Sequence, residues 1–196
     1  MSAAHEVHTT TPIDNRKFAM WTLIASECFL FATLITTYMI YRYDTFGGPH
    51  PAEVYAIDLT TISTFVLLMS SVAMVLALHY CKLRDLRKMQ LWLGIVILFG
   101  TFFLGFQVYE FQHFVRDFGL GLTTSPFASS FYLLTGCHGI HVFVGVLWMS
   151  SILVTSLRRG ESWFDDGLVE VAGLYWHFVD VIWIIIFTVV YLLVYV

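Results

Sequence analysis

The sequence predicts an all-α fold, a polytopic membrane protein built as a five-transmembrane-helix bundle with its N-terminus cytoplasmic and its C-terminus outside. Three observations carry this. Of 196 residues, 58% are hydrophobic and 12% charged, with a mean hydropathy of +0.76, whereas a soluble domain carries about a quarter charged residues. Five apolar runs, at 18–41, 59–81, 89–109, 127–157 and 171–196, each hold at least 21 residues, against the roughly 20 that a helix needs to cross hydrocarbon. Eight of the ten Lys and Arg residues fall on one side of the spans so defined. The net charge of −4 and the three cysteines leave no basic surface for nucleic acid and no disulfide framework.

The elements follow in order. Residues 1–17 form a polar cytoplasmic segment ending in Arg16 and Lys17; the first apolar run has no small-residue cleavage site after it and is expected to stay as the first span. The second and third spans flank a loop with Lys82, Arg84, Arg87 and Lys88. Within the third, LGIVILFGTFFLGF at 93–106 is apolar all round, which fits a helix in lipid and not an alternating barrel strand. The fourth span is followed by Arg158 and Arg159, while the loops 42–58 and 110–126 carry only Arg42 and Arg116. Positive loops stay cytoplasmic, which sets the orientation. Residues 18–196 therefore form one transmembrane domain. No internal repeat is visible, which weakens the reading as an inverted-repeat transporter.

Aromatic residues near span ends (Trp21, Tyr41, Tyr43, Tyr80, Trp92, Tyr175, Tyr191 and Tyr195) read as interfacial anchors. Cys28, Cys81 and Cys137 read as free thiols used for packing. Thr135, Gly136, Gly139 and Gly145 thin one flank of the fourth span and let a neighbouring backbone approach.

The residues that lipid should exclude point to a site. At 1.5 Å per residue, Glu27 lies about 13 Å and Asp180 about 12 Å from the inner side, and His138 and His141 about 16–21 Å from the outer side. His138/His141 and His177/Asp180 are i,i+3 pairs, so each pair shares a helix face that must look inward. Glu27, His138, His141, His177 and Asp180 are therefore expected to form a buried polar layer that fixes helix packing. Its carboxyls should be protonated or paired with a His, a hydroxyl or a carbonyl, with Glu27 largely protonated at neutral pH. Arg158 and Arg159 can bind lipid phosphates or simply set topology. Two histidines on one helical face do not supply opposite axial positions of a haem, and no HExxH or CxxC motif occurs. A proton-handling or accessory membrane subunit fits best. A small proton or solute transport protein would want more polar residues along a path.

YLLTGCHGIHVFVG at 132–145 and GLYWHFVDVIWIIIFTVVYL at 173–192 closely resemble subunit III of the haem-copper terminal oxidases. WTLIASECFLFATL in the first span, GFQVYEFQHF at 105–114 and FGGP at 46–49 resemble the same family. The resemblance covers about residues 17–196 and is to the short bacterial form, five helices against seven. KMQLWLGIVILFGTFFLGFQVYEF at 88–111 is more similar to the cytochrome-c oxidase branch than to the quinol oxidase branch, which is the alternative.

What the resemblance implies is an accessory subunit without catalytic residues, haem, copper or any other metal. It would pack on subunit I beside subunit II, with haem and copper in those partners and phospholipid bound. It would support proton uptake, lipid organisation and stability of the catalytic subunit in a bacterial plasma membrane. The lipid-filled cleft of the longer form would here be open or completed by another subunit. Residue by residue, Glu27, His138, His141, His177, Asp180 and Glu110 match polar positions of the family's motifs; Cys137 departs from its TG-x-HG-x-H pattern, where Phe or Thr is expected.

Overall fold

Each helix begins on a polar residue that caps it. The Asp14 carboxylate accepts from the Arg16 N–H at 3.0 Å, Asp85 from Lys88 at 3.1 Å, the Ser125 hydroxyl from Ala128 at 3.1 Å and Asp165 from Leu168 at 2.9 Å. These are four amides that would otherwise lack an acceptor at a helix start. In the computed structural model, which describes residues 14–55, 57–160 and 163–194, the helices are α1 (Asn15–Tyr41), α2 (Pro51–Val54), α3 (Ile57–Lys82), α4 (Leu86–Phe118), α5 (Pro126–Arg159) and α6 (Asp166–Ile186). A π-helical stretch at Phe187–Leu192 continues α6. There is no strand among the described residues, and five helices are long and apolar enough to span a membrane.

All five predicted spans are present, but the caps start them earlier and two run on further. The largest difference is in α4, which continues through Phe118 where a loop from 110 was expected. The reason is the spacing: Leu93, Val96, Gly100, Phe103, Gln107, Glu110 and Phe114 form one buried face, and that 3–4 periodicity carries the helix past the end of the apolar run. At 33 residues α4 is about 50 Å long, well beyond the roughly 30 Å of hydrocarbon. It stops at Gly119, whose φ of +64° suits a residue without Cβ.

Helices α3, α4, α5 and α6 close into a ring, each touching the next, and α1 lies outside it in the groove of α5 and α6. The start of α1, the end of α3 and the start of α6 meet at one end through Arg16–Asp165 (3.0 Å), Lys17–Glu170 (2.8 Å) and Arg84–Asp166 (3.6 Å). This is the basic end of the bundle. At the opposite end the Phe127 N–H donates to the Asp44 carbonyl, and the Tyr38 and Tyr55 hydroxyls meet at 3.2 Å.

Two of the expected anchors are not at an interface. Tyr175 and Tyr191 are 6% and 0% exposed. Both hydroxyls find partners inside the bundle, which is what lets a Tyr be buried. Trp21, Tyr41 and Tyr43 do stand exposed; Tyr195 lies outside the described residues. Gly139 and Gly145 sit against neighbours as expected, whereas Gly136 faces open space.

Candidate functional site

The expected layer is divided between two sides of the bundle. On one side α1 meets α5, where Glu27 Oε2 lies 3.2 Å from His141 Nε2 and both side chains are mostly buried. The other ring nitrogen, Nδ1, is 2.8 Å from the Cys137 carbonyl. A carbonyl can only accept, so Nδ1 carries a hydrogen. The Nε2 contact then holds one shared proton, either as imidazolium with carboxylate or as neutral imidazole with carboxylic acid. Phe31 packs edge-on against the ring at 5.1 Å, and the Tyr175 hydroxyl donates to the His141 carbonyl at 3.0 Å.

On the other side α6 meets α3. His177 Nδ1 and the Ser71 hydroxyl are 2.6 Å apart. Asp180, one turn along α6, is 3% exposed, and neither carboxyl oxygen has a hydrogen-bond partner. The same seam carries two indole bonds, Trp176 Nε1 to the Ser70 hydroxyl and Trp183 Nε1 to the Thr64 hydroxyl, both 2.9 Å. Between the two sides His138 is fully buried among Phe31, Phe103 and Trp183, with Nε2 donating to the Val179 carbonyl at 3.3 Å and Nδ1 unpartnered. The five residues thus form a Glu27–His141 pair, a His177 bond with Asp180 nearby, and His138 as an isolated helix-to-helix link.

A third acidic residue was assigned to the outer loop and belongs inside. Glu110 is 8% exposed, and it accepts from the Thr60 hydroxyl at 3.1 Å and the Tyr191 hydroxyl at 3.0 Å. The π-helical stretch holds Tyr191, so a widened turn aims this hydroxyl at the carboxylate. Its place on the face of Phe103 and Gln107 was the available signal. Arg158 and Arg159 sit exposed on the last turn of α5, where helix carbonyls favour cations.

Outside the membrane-spanning segments, the Leu168 N–H and, secondarily, Arg16 hold the Asp165 carboxyl below its ordinary value of 3.8. Among the described residues, no group of three His, Cys, Asp or Glu side chains is placed to hold a metal ion.

Five membrane-length helices with ionisable side chains turned into their seams define a polytopic membrane protein whose polar groups serve helix contacts. The chain belongs to the cytochrome c oxidase subunit III family, whose model matches residues 1–195, and is thereby subunit III of a haem-copper oxidase. It is 42% identical over 179 residues to the cytochrome c oxidase subunit 3 of Bacillus subtilis, covering 91% of this chain and 86% of the relative. It is 42% identical over 191 residues to that of Bacillus sp. PS3 (97% and 92%). To the quinol oxidase subunit 3 of Bacillus subtilis it is 39% identical over 173 residues (88% and 84%). Family membership implies association with the other subunits of a terminal oxidase.

Proposed function

We propose that this chain is the accessory, cofactor-free subunit III of a respiratory cytochrome c oxidase in a bacterial plasma membrane. Its N-terminus is cytoplasmic, and it packs on subunit I alongside subunit II, which supply the haem and copper. The supporting observation is the state of the histidines. His138, His141 and His177 each spend a ring nitrogen on a carbonyl or hydroxyl of their own bundle, so their geometry serves helix seams and not ligation. Glu27, His138, His141, His177 and Asp180 fix how the helices pack, and the proton shared by Glu27 and His141 gives α1 a polar attachment to α5. In this role the subunit supports proton uptake and keeps the catalytic subunit stable through turnover. Arg158 and Arg159 hold anionic lipid head groups at the basic end.

Cytochrome c as donor is favoured by the higher identity to the cytochrome c oxidase subunit than to the quinol oxidase subunit of the same Bacillus. Oxygen consumption by the purified complex tests it. Reduced cytochrome c should sustain the rate and a quinol should not; the reverse result assigns the chain to a quinol oxidase. A complex stripped of this subunit should start at a normal rate and lose activity over repeated turnovers.

A further inference from the structure

Arg84 and Arg87, at the basic end, line a cavity of about 700 Å3 completed by Gln90, Leu157, Gly160 and Phe164. The backbone at Arg84 is unusual. The Arg84 N–H donates to the Cys81 carbonyl and the Asp85 N–H to the Tyr80 carbonyl, both at 3.0 Å, and Arg84 has φ +60°. This pattern closes a helix with a left-handed residue that is ordinarily glycine. An arginine is strained there, so its side chain must serve a purpose that glycine cannot. The guanidinium stands over the Phe164 ring at 4.9 Å and 3.6 Å from Asp166, contacts that hold it at the cavity wall. Asp85 is engaged by the Lys88 N–H and ammonium at 3.1 and 3.0 Å. Arg87 makes no hydrogen bond or ion pair among the described residues and is exposed. The cavity therefore offers an anion a fixed guanidinium and an uncommitted one.

The same face of α4 continues as an apolar track. At 100° per residue, Leu91, Gly94, Leu98 and Gly105 all fall within about 40° of Arg87. Leu91 and Leu98 are 60% and 63% exposed. The track enters an apolar groove of about 620 Å3 lined by Leu98, Phe102, Gly105 and Phe106. From Arg87 to Leu98 the helix rises about 17 Å, close to half of the roughly 30 Å hydrocarbon thickness.

We propose that α4 holds one anionic phospholipid, its phosphate between Arg84 and Arg87 and an acyl chain along Leu91, Gly94 and Leu98 into the groove at Gly105. The charged cavity and the apolar track lie one leaflet apart on one helix face, which selects a phospholipid over free phosphate. The site is separate from Arg158 and Arg159, which do not line the cavity, and it is independent of the electron donor.

The test is native mass spectrometry of the purified complex, delipidated and then reconstituted with vesicles of phosphatidylglycerol and phosphatidylcholine. Arg84→Gln/Arg87→Gln should lower retention of the tightest-held phosphatidylglycerol about tenfold, the scale of a lost charge-assisted phosphate contact. Gly105→Leu should do the same with the arginines intact; a Cβ at Gly105 meets open space, so this variant should assemble normally. Wild-type retention in either variant overturns the proposal. So does displacement of phosphatidylglycerol by inorganic phosphate together with no effect of Gly105→Leu, which would mark a phosphate site without a lipid track.

Discussion

His141 faces Glu27 at 3.2 Å through Nε2 while its Nδ1 is committed, at 2.8 Å, to the Cys137 carbonyl one turn back on the same helix. The imidazole is thus held at both ends, and the Glu27 contact always contains one proton. Because α1 lies outside the ring of the other four helices, this is its polar attachment in mid-membrane. A double-mutant cycle with Glu27→Gln and His141→Gln should return a coupling of about 1–3 kcal/mol in the thermal stability of the detergent-solubilised complex. A coupling near zero would mean that α1 is held by its apolar contacts and its two ends.

Tyr191→Phe isolates the bond to Glu110. The ring stays, the 3.0 Å hydroxyl contact goes, and a buried carboxylate oxygen loses its donor. Such a loss costs about 1–3 kcal/mol, read as a lower melting temperature. Thr60→Val should act in the same direction on the other oxygen.

Asp180→Asn should behave differently. Neither Asp180 oxygen is hydrogen-bonded, so an amide of the same shape forfeits no bond, and stability should stay within about 1 kcal/mol of wild type. His177→Ala, which removes the 2.6 Å contact to Ser71, should cost more than Asp180→Asn in the same melt.

Gly145 is a packing requirement. A Cβ there would lie 2.7 Å from the Trp176 ring and 3.3 Å from Tyr175, and Trp176 is fully buried. Gly145→Ala should therefore destabilise by about 1–3 kcal/mol. Gly136→Ala, where a Cβ meets open space, should be neutral or stabilise by up to about 1 kcal/mol.

Acid should loosen the basic end first. The folded-state pKa of Asp165 is depressed below its ordinary 3.8 by the Leu168 N–H and then Arg16. Its contribution is therefore fully present above pH about 4 and is lost as pH falls through the depressed folded value. Hydrogen exchange in the first turn of α6 should rise over that acid range. Asp165→Asn should flatten the response while keeping the cap. The Arg16 part, being exposed, should weaken with salt.

How much of this could be read in the sequence depends on the kind of signal. A run of apolar residues reports a span by its length alone, so all five helices were legible. Which face an aromatic presents is not encoded near a run's end, so Tyr175 and Tyr191 passed for anchors. Glu27 and Asp180 stood out because they interrupt apolar runs. Glu110 did not, because it lies where the run gives way to polar residues, and only its register with Phe103 and Gln107 marks it as inward. The Glu27–His141 contact joins residues 114 apart, and no spacing rule reaches that far. The hydroxyls of α3 were a legible signal left unused: Thr60, Ser63, Thr64, Ser70 and Ser71 recur at helical spacing and meet Glu110, Trp183, Trp176 and His177 on the facing helices.

The widened turn at Phe187–Leu192 makes the chain's end sensitive to length as well as to composition. An extra residue accommodated in a helix turns everything after it by about 100°. Removing any one residue from 187–190 would let an ordinary helix re-form without disturbing Trp176 or Trp183 upstream, and would swing Tyr191 away from Glu110. A one-codon deletion there should therefore be as damaging as losing the tyrosine itself, while the same deletion beyond Leu192 should pass unnoticed.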